Sequence, residues 1–202
     1  MAANDRIALV TGAGTGVGRA AALGLLKAGW HVVITGRRKD LLAETAEMGA
    51  NSGRQVLVAP CDIGDPAAVQ GLFDEIARAF GRLDLLFNNA GTGAPPMPME
   101  DVSFEQWQTV VAANLTGSFL CTKAVLPGML ARGAGSIVMI SSRLGQIGFA
   151  GVSHYAAAKA GLNRSILDAG WAQFTSILAA KAESAGRRVV LVSPAYTSID
   201  CY

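Results

Sequence analysis

Tyr155 and Lys159 stand four residues apart in a helix-favouring stretch, Tyr-Ala-Ala-Ala-Lys. At that spacing both side chains leave the same helix face, one turn apart. A tyrosine of pKa about 10 is a poor acid or base near neutrality. A neighbouring ammonium favours its phenolate and brings it toward the working range. The same ammonium can donate a hydrogen bond to a ribose hydroxyl. Ser142 closes the run Ser-Ile-Val-Met-Ile-Ser-Ser, and its hydroxyl could hold a carbonyl oxygen in line with Tyr155. Such a set suits proton transfer at a carbonyl or alcohol oxygen.

A second group concerns phosphate. Gly12, Gly14, Gly16 and Gly18 follow the apolar run Ile7 to Val10 and open a helical pattern from Val17 to Ala28. A glycine turn at a helix N-terminus lets the backbone approach a pyrophosphate and offers it free N–H groups. The spacing is Thr11-Gly12-x-x-x-Gly16-x-Gly18, and Val17 stands where the third glycine of G-x-G-x-x-G would fall. The next strand runs out at Thr35-Gly36-Arg37-Arg38 with no carboxylate at its tip. A ribose 2′-hydroxyl commonly meets an acid there and a 2′-phosphate an arginine, so the sequence predicts NADP(H), with NAD(H) as the alternative.

The elements that must position these groups alternate. Strands are predicted at Ile7–Val10, His31–Thr35, Gln55–Ala59, Leu83–Phe87 and Ser136–Ser141. Helices are predicted over Val17–Ala28, from about Lys39, over Pro66–Phe80, over Ser103–Ala131 and around Tyr155. That pattern means an α/β fold, a Rossmann-like doubly wound parallel sheet, with Ser142 at the carboxyl edge where ligands bind. The 202 residues suit a single nucleotide-binding domain spanning 1–202. Hydrophobic residues at 51% and charged residues at 16% fit a sheet buried on both faces.

No uninterrupted apolar run reaches membrane-spanning length, and the first residues lack the pattern of a signal peptide, so no membrane partner is expected. Scattered Cys61, Cys121 and Cys201 fit a reducing cytoplasm, and a net charge of +2 argues against nucleic acid. No His/Cys pair has metal-ligand spacing. His154 reads as a neighbour of Tyr155 rather than a catalyst, Cys61 and Cys121 as small core residues, and Phe104 and Trp107 as packing side chains.

Together these motifs resemble the short-chain dehydrogenases/reductases. Thr11-Gly12-x-x-x-Gly16-x-Gly18, Cys61-Asp62-Ile63, Asn88-Asn89-Ala90-Gly91, Asn114-Leu115-Thr116-Gly117, Ser141-Ser142 and Tyr155-x-x-x-Lys159 occur in that family's order over about residues 5–160. The resemblance implies a catalytic tetrad of Asn114, Ser142, Tyr155 and Lys159. Tyr155 would be the general acid/base, Ser142 the carbonyl anchor, Lys159 the ribose-binding and pKa-tuning cation, and Asn114 part of a proton relay. It implies that Gly12, Thr15, Gly16, Val17 and Gly18 hold pyrophosphate, that Asp62 and Ile63 lie near adenine, and that Asn88, Asn89, Ala90 and Gly91 line the cofactor. It implies hydride transfer to or from a small carbonyl or alcohol substrate selected partly by Thr92 to Met99, and homo-oligomers whose interface helix is altered here.

Beyond Lys159 the pattern departs. The run Arg188 to Val192 ends in Ser193-Pro194-Ala195 where the family has Ser-Pro-Gly. Leu162 to Leu178, Lys181 to Val192 and Pro194 to Ser198 resemble the C-terminal region of OrfB/TnpB-type transposases, with a junction near Ala160 to Leu162. Cys201 would match one zinc-ribbon cysteine, and a single thiolate does not hold zinc. The tail is expected to supply a helix over 163–184 and a strand over 189–192, leaving the sheet altered or truncated at its C-terminal end. Turnover is therefore expected to be impaired. The alternatives are a catalytically inactive nucleotide-binding or interaction protein and a transposase-derived DNA-acting fragment.

Overall fold

Five strands form one parallel sheet among the residues 5–93 and 95–166 that the computed structural model describes. They are β1 (Ile7–Thr11), β2 (His31–Gly36), β3 (Val56–Pro60), β4 (Leu85–Asn88) and β5 (Ser136–Met139), ordered β3-β2-β1-β4-β5. The α-helices among the described residues are α1 (Gly16–Lys27), α2 (Lys39–Gly49), α3 (Pro66–Phe80), α4 (Phe104–Val111), α5 (Gly117–Arg132) and α6 (Ser153–Ile166), with α4 and α5 both between β4 and β5. The predicted Rossmann-like, doubly wound architecture is the observed one.

Every residue of β1 is buried, because parallel pairing on both edges and helices on both faces leave it no water. Alternation then sorts its side chains. Ile7 and Leu9 join α3 and α5 in one cluster through Leu72, Ile76, Cys121 and Val125. Val10 joins α1 and α2 in the other through Ala22, Leu26 and Leu42. The strand order reverses between β1 and β4, the position at which open α/β sheets bind ligands at their carboxyl ends.

Three boundaries differ from the sequence reading, each for a local reason. β4 begins at Leu85 rather than Leu83, since the Asp84 carboxylate at its entry accepts from Ile7 N and pairs with Arg82. The helix expected over Ser103–Ala131 is interrupted by a π turn at Ala112–Thr116. β5 ends at Met139 rather than Ser141, so Ser142 lies beyond the strand instead of closing it. There Ser142 Oγ accepts from Leu144 N at 3.2 Å and its carbonyl accepts from Gly145 N at 3.0 Å, bonds that build a 3₁₀ turn over Arg143–Gly145.

The chain divides into two compact units, Met1–Thr92 with Thr116–Met139, and Gly93–Leu115 with Ile140–Tyr202. The first holds the sheet with α1, α2, α3 and α5. The second holds α4, the Ser142 turn and α6. Phe104–Arg132 is long and apolar enough to cross a membrane by composition, yet Cys121, Val125 and Met129 in it are core residues. The expected helix over 163–184 reaches the described region only through the end of α6; its remainder, the expected strand over 189–192 and Cys201 lie outside the described residues.

Candidate active site

In the first unit the glycine turn is fixed by backbone chemistry. Thr11 Oγ1 accepts from Asn89 N at 3.0 Å and Ala90 N at 2.9 Å. Asn89 Nδ2 donates to the carbonyls of Thr11 at 3.0 Å and Gly12 at 3.4 Å. The ends of β1 and β4 are thereby knotted together. A Cβ at Gly12 would lie 2.9 Å from Ala90 Cα, and one at Gly18 would collide with the Gly12 carbonyl oxygen and lie 2.6 Å from Asn89 Nδ2. Gly16 differs: its φ is +52°, and a Cβ there would meet nothing within 4 Å. The open cradle sits at the start of α1, whose N-terminal N–H groups receive no capping bond from the Thr15 side chain and whose first turn carries no acid. Uncapped N–H groups beside an open cradle fit a diphosphate. Val17, next along the chain, is half exposed.

Arg37 and Arg38 are exposed just past β2, and Arg38 Nη2 donates to Thr15 Oγ1 at 3.4 Å. Thr45 Oγ1 donates to Ala13 O at 3.0 Å, tying the glycine turn to α2. Asp62 is exposed and accepts from Gly64 N at 2.9 Å. Ile63 is buried, and a Cβ at Gly117 would lie 2.6 Å from its side chain, so α5 starts in direct contact with it. Asn88 faces the interior, its amide donating to Thr122 Oγ1 at 3.1 Å and Met139 Sδ at 3.2 Å, which links β4, α5 and β5. Gly91 follows Ala90 in the same loop. Cys61 and Cys121 are buried free thiols, as expected of small core residues. Burial pushes the Cys61 thiol up to about 11, with Asp62 and Asp65 adding to it, and the Cys121 thiol up to about 12.

The second unit contains Asn114, Ser142, Tyr155 and Lys159. Asn114 is fully buried in the π turn, and its Nδ2 donates to Val110 O at 2.9 Å. A π turn displaces the regular i−4 pairing, and the side-chain amide serves the carbonyl affected. Lys159 is 4% exposed; its Nζ donates to Ile140 O at 3.0 Å and stands 5.8 Å from the Tyr155 ring centroid. Burial lowers its pKa to about 8. No ion pair reaches it among the described residues.

Other parts of this unit were not foreseen from sequence. Gly151, at φ +83°, accepts from Met97 N at 2.9 Å, and a Cβ on it would lie 3.2 Å from Pro96. The proline loop expected to bear on substrate choice is thus strapped to the segment leading into α6. His154 is fully buried, and neither ring nitrogen has a hydrogen-bond partner among the described residues. Phe104 is exposed rather than packed, while Trp107 is half-buried. No cluster of metal-binding side chains occurs among the described residues.

Comparison with known proteins shows the family of the chain. The family model described as short chain dehydrogenase matches residues 6–201. Sulfoacetaldehyde reductase 2 of Chromohalobacter salexigens is 40% identical over 189 residues, 93% of this chain and 71% of that protein. The 3-oxoacyl-[acyl-carrier-protein] reductase of Synechocystis is 36% identical over 197 residues, 96% of this chain and 75% of its own. Among solved structures, a metagenomic short-chain oxidoreductase in complex with NADP superposes with a TM-score of 0.81 at 31% identity, over 86% of this chain and 77% of that one. A short-chain alcohol dehydrogenase from Sinorhizobium meliloti gives a TM-score of 0.74 at 34% identity, covering 91% and 69%. The chain belongs to the short-chain dehydrogenase family. By family it is an NAD(P)-dependent oxidoreductase acting on CH–OH or carbonyl groups.

Proposed function

We propose that this chain moves hydride between NADP(H) and a small carbonyl or alcohol substrate, with Asn114, Ser142, Tyr155 and Lys159 as its chemical groups. A bound nicotinamide supplies or accepts the hydride. In the reducing direction Tyr155 gives its phenolic proton to the substrate oxygen, which Ser142 Oγ holds. The Lys159 ammonium stabilises the phenolate left behind and donates to ribose, and Asn114 belongs to the path that returns the proton. The observation that carries this reading is the buried ammonium one turn from Tyr155, held by one carbonyl and by no acid among the described residues. Burying an unpaired cation is unfavourable for folding, so a strongly perturbed group of this kind points to chemistry rather than stability.

For the cofactor, Gly12, Thr15, Gly16, Val17 and Gly18 take the pyrophosphate, and Arg37 and Arg38 the 2′-phosphate. Asp62 and Ile63 flank adenine, and Asn88 to Gly91 support the strand end beside it. The exposed arginines past β2, the absence of a carboxylate at its tip and the NADP complex of a structural neighbour favour NADP(H) over NAD(H). In this reading residues 1–202 make one nucleotide-binding domain of a cytoplasmic protein, whose helix for homo-oligomer contact is altered. The match through residue 201 favours a dehydrogenase-type C-terminal segment, with the transposase-like ancestry of 162–202 as the second reading of it.

The test follows NADPH absorbance with a panel of aldehydes and ketones that includes sulfoacetaldehyde and a 3-oxoacyl thioester. Turnover that disappears in Tyr155→Phe supports the proposal. NADPH binding with no turnover in either direction overturns it, and tighter binding of NADH overturns the cofactor assignment.

A further inference from the structure

Where the Ser142 turn meets α6 at Lys159, the turn presents a residue without a side chain. Gly145 closes the 3₁₀ turn, and a Cβ built on it would lie 2.7 Å from the carbonyl carbon of Lys159, 2.9 Å from its oxygen and 3.0 Å from Ala160 N. Those atoms are helix backbone, which cannot swing aside as a side-chain tip can. The turn itself is stiff, because Ser142 uses both its hydroxyl and its carbonyl within it. Upstream, the residue that anchors the Lys159 ammonium is Ile140, two positions before Ser142. One bare glycine therefore sets the distance from α6 to a segment that carries both the Ser142 hydroxyl and the carbonyl holding Lys159. Gly161 offers a contrast on the same helix: a Cβ there would meet only the flexible end of Leu115, at 3.1 Å.

We propose that Gly145 is a positioning residue for the proposed chemistry, its missing side chain seating the Ser142 turn directly on the α6 backbone at Lys159. The proposal rests on the functional reading above, so its test includes a readout that needs no turnover. Gly145→Ala and Gly161→Ala are compared with wild type for kcat, KM, NADPH affinity, thermal unfolding and ionisation of Tyr155. The last is read from the ultraviolet titration difference against Tyr155→Phe. A backbone displacement of a few tenths of an ångström at a reacting centre lowers turnover steeply, so Gly145→Ala is expected to lose about tenfold or more in kcat. NADPH affinity should also fall, because the ammonium that donates to ribose loses its fixed place, and the Tyr155 midpoint should move with it. Gly161→Ala should leave kcat and the midpoint at their wild-type values.

In the wild-type chain, where folding of a variant is not in question, the Gly145 amide resonance should titrate with the Lys159 ammonium. A folded Gly145→Ala protein with wild-type kcat and midpoint overturns the proposal, as does a Gly145 amide that ignores the lysine titration. If the wild-type chain turns nothing over, the functional reading fails. The Tyr155 midpoint and the amide titration then still decide whether Gly145 positions these groups.

Discussion

Under the proposed function, the two units prepare their half of the chemistry in opposite ways. The sheet-bearing unit works with backbone: Gly12, Gly16 and Gly18 shape an open helix start, while Thr11 and Asn89 spend their side chains holding that shape. Its charged candidates, Arg37, Arg38 and Asp62, stay in solvent. The α6-bearing unit works with buried polar side chains, Asn114 and Lys159, the second a perturbed cation. A phosphate is bound by many weak, directional N–H groups, so the first unit needs an accurate main chain and little burial. Proton transfer works best at groups whose pKa lies near the working pH, and burial is one way of bringing a lysine there.

Tyr155→Phe should break the second half alone. It is expected to lower turnover by about 10²- to 10⁴-fold while leaving NADPH affinity and melting temperature near wild type, checked by steady-state kinetics and calorimetry.

Gly18→Ala should break the first half. Its methyl has no room between the Gly12 carbonyl and Asn89, so a loss of about 1–3 kcal/mol in stability is expected together with weakened NADPH binding. Denaturant unfolding with and without NADPH measures both.

Lys159→Met sharpens the comparison through pH. The folded pKa of about 8 lies below the ordinary value of 10.5, so the unfolded chain binds the proton more tightly. The ammonium's penalty is therefore fully present below pH 8 and is relieved as pH rises from there. Wild-type stability should climb between pH 8 and 9, before Cys61 and Cys121 reverse the trend; their raised folded pKa values favour the folded state until the unfolded thiols ionise near 9. In Lys159→Met the climb should vanish, and the variant should be more stable than wild type at pH 7 by about 1–3 kcal/mol. A variant with the same slope would remove the lysine from this account.

The smallest effect is expected at the exposed pair. Arg37→Ala and Arg38→Ala should each weaken NADPH by about tenfold or less, since solvent and salt screen them, and leave NADH untouched. Equal losses for both nucleotides would mean that the arginines read the pyrophosphate instead.

Much of the first half was legible from sequence because its signals are local. A glycine that must adopt a positive φ and a strand that alternates between two buried faces advertise themselves within a few residues. Thr11 was visible as part of a motif, but not as the acceptor for two N–H groups nearly eighty residues away. In the second half the Tyr155–Lys159 spacing was plain, whereas the placement of Ser142 was read one element too early. A strand-like run does not reveal that its last serine will bond its own backbone and leave the sheet. The π turn was equally hidden, since Asn114 sits in an otherwise uniform helical pattern.

The sequence by itself determined the residue types, the βαβ rhythm and the one-turn pairing of tyrosine with lysine, because spacing along a regular element fixes which side chains share a face. Tertiary structure alone decided what surrounds them. The Ile140 carbonyl on Lys159, the bare Gly145 against α6 and the knot between the ends of β1 and β4 join residues distant in sequence. Burial, and with it the shifted lysine, exists only once those distant segments have closed over it.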